Sequence, residues 1–106
     1  MPTLKYTAIA SSGRAFEMDF PLHPDTRSGE DVSQMMSALL KTVSDTVESR
    51  REVSDGDVLQ ALAMTMAVRS RVIDVDSKVV QRLSHALLDT AFDAAEEARS
   101  YSAQRQ

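Results

Sequence analysis

A chain of 106 residues that is 42% hydrophobic and 26% charged has the balance of a folded domain, neither a disordered nor a membrane-embedded one. It is expected to form a single domain with room for one core but not for a core plus a deep enclosed active site, so function belongs on a surface. The formal net charge of −4 speaks against a dedicated nucleic-acid binder, and the absence of cysteine removes disulfides, thiolate metal sites and Cys nucleophiles.

The N-terminal stretch has no basic segment followed by an apolar one, and no apolar run approaches the ~18 residues of a membrane span, so a cytoplasmic location is the default expectation. Nine Arg stand against three Lys, a bias that a GC-rich bacterial or phage gene would produce.

Residues 3–22 read as a β-hairpin. Leu4, Tyr6 and Ala8 alternate onto one face, as do Phe16, Met18, Phe20 and Leu22, while Glu17 and Asp19 point the other way. If both apolar faces lie on one side, paired positions must have an even sum, which requires an odd loop such as Ser11-Ser12-Gly13 with Gly13 at positive φ. Both edges of such a hairpin carry unpaired backbone groups, so edge-to-edge pairing of two copies is expected.

Residues 23–29 are punctuated by proline, serine and glycine and read as a connection. Three helices follow, over 30–51, 54–73 and 76–102, with 103–106 as a frayed tail. In the first, Val32, Met35, Met36, Leu39, Leu40, Val43 and Val47 form one stripe. The second opens with Ser54 as N-cap, Asp57 as its capping-box partner and a Val53–Val58 hydrophobic staple. Asp76 caps the third, whose seam recurs at Val80, Leu83, Leu87, Ala91, Ala94, Ala98 and Tyr101. The fold class is therefore α+β, an N-terminal two-stranded β-hairpin followed by a three-helix bundle.

The second helix is apolar on two sides. Val58, Leu59, Leu62, Met66 and Ile73 make a broad stripe, and Ala61, Met64 and Val68 make a smaller one nearly opposite. The third helix adds Leu88, Phe92 and Ala95 beyond its seam, beside an acidic side formed by Asp89, Asp93, Glu96 and Glu97. A chain of this size cannot bury all of that surface alone, and a contiguous apolar remainder marks an interface. Met64, Val68, Leu88 and Phe92, flanked by Asp89, Asp93 and Glu96, are thus the candidate partner-binding residues. The expected function is that of a small non-enzymatic binding, adaptor or regulatory protein that forms homo-oligomers, most simply dimers.

Other readings are weaker. Arg50, Arg51, Arg69 and Arg71 would serve a nucleic-acid patch, but their placement in last helical turns is what the helix dipole favours. His85 and Asp89, one turn apart, would contribute to an enzyme site formed between chains, yet two ligands make no metal centre and His23 is remote in sequence. No phosphate loop, nucleophile elbow or HExxH sequence is present, so no catalytic, cofactor-binding or metal residues are assigned.

Overall fold

A computed structural model describes residues 2–102. The element order is β1 (Thr3–Ile9), β2 (Arg14–Pro21), α1 (Gly29–Ser49), α2 (Asp55–Val72), α3 (Ser77–Glu96) and β3 (Arg99–Ser102). The class is α+β, with a three-stranded antiparallel sheet in the order β1-β2-β3. The chain's contacts fall into two units, residues 1–33 with 85–106, and residues 34–84.

In the first unit the hairpin register pairs Leu4 with Phe20, Tyr6 with Met18 and Ile9 with Ala15, so every pair sums to an even number, as the side-chain alternation requires. The turn is the odd loop Ser11-Ser12-Gly13. Ala10 donates its backbone N–H to the Arg14 carbonyl (2.8 Å), Gly13 donates to the Ala10 carbonyl (2.9 Å), and Gly13 takes φ 89°. A side chain at that φ would be strained.

The third strand departs from the sequence expectation. The third helix was expected to run to residue 102, but α3 ends at Glu96, and residues 99–102 pair with β2. The heptad seam carries on through Ala94, Ala98 and Tyr101, which makes a longer helix plausible on local grounds. Cross-strand partners decide otherwise. Arg99 stands opposite Glu17 in register, with its guanidinium 3.4 Å from Glu17 and 3.5 Å from Asp19, and the Tyr101 hydroxyl donates to Glu17 (3.2 Å). The outer edge of β2 is consequently occupied by this chain's own strand, which corrects the expectation that both hairpin edges are open. The expected tail at 103–106 lies outside the described residues.

Leu4 and Ala15 are the buried side chains of the sheet. Ala15 lies on the face of Glu17 and Asp19, between Ile9 and Tyr101 in register, so the most enclosed position is not on the face with the larger apolar residues. Ser28 caps α1 by accepting from the Asp31 N–H (3.1 Å). Gly29 lets Leu22 pack close to the start of α1: a Cβ there would lie 3.1 Å from Cδ1 of Leu22, which would have to give by a few tenths of an ångström.

In the second unit, α2 starts on the capping box read from the sequence. Ser54 Oγ accepts from the Asp57 N–H (3.0 Å), and the Asp57 carboxylate accepts from the Ser54 N–H (3.2 Å). Asp76 accepts from the Lys78 N–H (2.8 Å) at the start of α3. Within this unit the Ser70 and Ser84 hydroxyls meet at 3.4 Å, so α2 and α3 approach through small residues. Val80 is the only buried apolar residue among the described residues of the three helices.

Candidate interaction surfaces

Successive helical residues turn by about 100°, which converts the exposure pattern into faces. On α1 the half-buried residues Val32, Met36 and Val43 form the centre line of the apolar stripe, and its two flanks are open: Met35 and Leu39 on one side, Leu40 and Val47 on the other. The chain covers only the middle of a stripe that amphipathicity alone would bury whole.

On α2 the covered line is Val58, Met66 and Ser70. Leu62 and Leu59 fall within the same arc and are nonetheless exposed, the far side carries Met64 and Val68 at 61% and 64% exposure, and the exposed Val72 lies beside the Val58 edge. The two-sided helix read from the sequence therefore has one side partly occupied and the other bare.

Along α3 the half-buried line is Ser84, Ala91 and Ala94, continuing from Val80. Leu88 and Phe92 lie to one side of it, and Phe92 is 66% exposed. Asp89, Asp93 and Glu96, all exposed, continue around the helix from Phe92. An apolar ring bordered by carboxylates is chemically suited to a partner surface with an apolar centre and basic rim.

The first unit also contains an open cleft of about 390 Å³ lined by Glu17, Asp19, Pro21, Thr90, Asp93, Ala94, Glu97 and Arg99. Four carboxylates face one guanidinium there. Two of them are already engaged: Glu17 by Arg99 and Tyr101, and Asp19 by Lys5 (3.1 Å) and Arg99. The Lys5 hydrogen bond holds the Asp19 carboxyl below its ordinary value, ahead of the opposing effect of partial desolvation. Donating to Glu17 pushes the Tyr101 hydroxyl above its ordinary value. These groups form a polar ladder, Lys5–Asp19–Arg99–Glu17–Tyr101, across all three strands.

The basic residues do not gather. α1 ends at Ser49, so Arg50 and Arg51 lie just past the helix and not in its last turn as expected, while Arg69 and Arg71 do occupy the last turn of α2. Residue 69 lies fourteen residues along α2 from its start, a rise of about 21 Å. One pair thus precedes that helix and the other ends it. His85 and Asp89 are both exposed, and no hydrogen bond or ion pair joins them among the described residues. No cluster of three or more His, Asp or Glu suited to a metal exists among the described residues. Among the described residues no helix is long and apolar enough to cross a membrane.

β3 is the element that the sequence reading missed. Its one local signal is the alternation of Arg99 and Tyr101 with two serines, a period of two that is too short to outweigh the helical seam before it. No family model matches the chain, and no curated protein or solved structure is significantly similar to it.

Proposed function

We propose that this protein is a small non-enzymatic binding or adaptor protein of the cytoplasm, active as a homo-oligomer and most simply as a dimer whose joined helices complete a bundle. One observation carries the reading: Met64, Val68, Leu88 and Phe92 all stand exposed, on helices that bury a single apolar side chain among their described residues. Exposed apolar area of this extent is a feature of association surfaces. Self-association accounts for the bulk of it, and the Phe92 edge with Asp89, Asp93 and Glu96 is assigned to a second protein bearing a basic rim. The cleft lined by Glu17, Asp19, Asp93, Glu97 and Arg99 offers an enzyme reading less support, because it is open and its Arg99 is already paired with Glu17 and Asp19.

Multi-angle light scattering of the purified chain at micromolar concentration, combined with binding of an apolar-surface dye, tests this reading. An oligomer that binds little dye at its self-interface, and a Phe92→Glu variant that keeps the oligomer but loses a captured basic partner, is the expected result. A monodisperse monomer that binds no dye would overturn it.

A further inference from the structure

We propose that residues 97–102 form a switch with two states, the strand that completes the sheet and a helical continuation of α3, and that the carboxylate of Glu17 holds the segment in the first. The switch lies wholly within the sheet unit and is independent of the proposed self-association.

Nothing local stops α3. The chain has no glycine after Gly56 and no proline after Pro24, and among the described residues only Gly13 has the positive φ with which helices commonly end. The backbone stays coiled past Glu96. The Glu97 N–H donates to the Ala94 carbonyl (3.2 Å) and the Ala98 N–H to the Ala95 carbonyl (3.1 Å), so the chain unwinds only at Arg99. The helical seam of Ala91 and Ala94 continues at Ala98 and Tyr101, which gives the longer helix an apolar line to follow.

Charge at the end of α3 favours the same extension. Glu96 is its last residue, Glu97 follows, and no basic residue stands in the last turn, a placement that the helix dipole opposes. Continuing the helix moves both carboxylates away from the terminus and sets Arg99 three residues from Glu96, a spacing at which opposite charges attract.

The strand state is held by few contacts, all at the surface. β3 has four residues, every one exposed, and pairs only with residues 14–17 of β2. Arg14 donates to Ser100 Oγ (3.2 Å), Arg99 reaches Glu17 and Asp19, and the Tyr101 hydroxyl donates to Glu17. Exposed ion pairs each contribute little and weaken with salt, and Glu17 takes part in two of these contacts, so it is the group whose loss tips the balance. The apolar cost of release is small, because the neighbour that β3 helps to enclose is Ala15, 1% exposed. Release leaves the outer edge of β2 unpaired and open to another extended segment.

Backbone chemical shifts of the full chain, with hydrogen exchange of the hairpin amides as a control, test the switch. At low ionic strength residues 99–102 are expected to show strand shifts. Raising the salt from about 0.05 to about 0.5 M, where screening shortens to a few ångströms, should move the shifts of 97–102 toward helical values. Glu17→Thr removes the carboxylate and keeps strand propensity, so it should lower the ratio of strand to helix about fivefold or more at low salt, with the hairpin amides still protected. Adding Ala98→Gly to that variant should cut the helical population about fivefold, because glycine disfavours the extended helix and touches none of the sheet contacts. If Glu17→Thr loses the hairpin itself, the salt series on the unaltered chain decides on the same shifts. Strand shifts that persist through the salt series, or a released segment that takes coil shifts indifferent to Ala98→Gly, would overturn the proposal.

Discussion

The two units of this chain hold themselves together by different physics. The sheet unit is rich in directional contacts: a fixed register, a turn with one obligatory glycine, and a ladder of ion pairs and hydrogen bonds running from Lys5 to Tyr101. The helical unit has caps and the Ser70–Ser84 contact, but most of its side-chain chemistry is apolar and faces outward. Directional contacts specify a partner even in small numbers, so a short strand such as β3 finds its place. Apolar attraction is non-directional and scales with area, so it stabilises only where enough area closes.

The largest expected effect that would sharpen this contrast is at Leu4. Leu4→Ala removes the larger of the two buried side chains of the sheet and should destabilise it by about 2–4 kcal/mol, measured by urea denaturation with strand amides followed by hydrogen exchange. If the sheet lost nothing, its stability would not come from that position.

Ser54→Ala removes the N-cap of α2 at about 1 kcal/mol per chain. The loss should lower the melting temperature of the helices in thermal melts followed by circular dichroism, and an unchanged melt would mean that the cap does not hold α2. Gly13→Ala is expected to cost about 1 kcal/mol, because alanine meets steric strain at φ 89°, and the loss should register in the hairpin alone.

The smallest effects belong to the exposed ladder. Asp19 titrates below its ordinary 3.8 when folded, so its contribution is present above that value and fades as pH falls through the lowered one. Tyr101 titrates above its ordinary 10.0, so its contribution is present below 10.0 and fades as pH rises through the raised value. Glu17→Ala should bring the Tyr101 phenolate transition back toward 10.0 in an ultraviolet titration; an unchanged transition would mean that the Glu17 hydrogen bond does not set it.

Much of the architecture was legible because it is written in short-range chemistry. The parity of Leu4 and Phe20 about the loop fixes the hairpin register, and Ser54 with Asp57 announces α2. The two-sided character of α2 was equally plain from Met64 and Val68 set against Leu59 and Leu62. β3 was not legible, since what ends the helical pattern after Glu96 is a pair of carboxylates, Glu17 and Asp19, some eighty residues earlier in the chain. The end of α1 was misplaced by two residues for a milder reason: Arg50 and Arg51 are good helix formers, and nothing local marks Ser49 as the last residue. The candidate surface was recoverable as a surplus of apolar residues, but periodicity cannot say which part of each stripe the chain itself covers.

The place of β3 in the sheet has a consequence for how the protein comes into being. Arg99 and Tyr101 join Glu17 across separations of 82 and 84 residues, so the sheet cannot be finished until everything between its second and third strands has been synthesised. All three helices emerge before that moment, their greasy sides uncovered. For that interval the hairpin waits with its outer edge unpaired, and the late strand is what closes it.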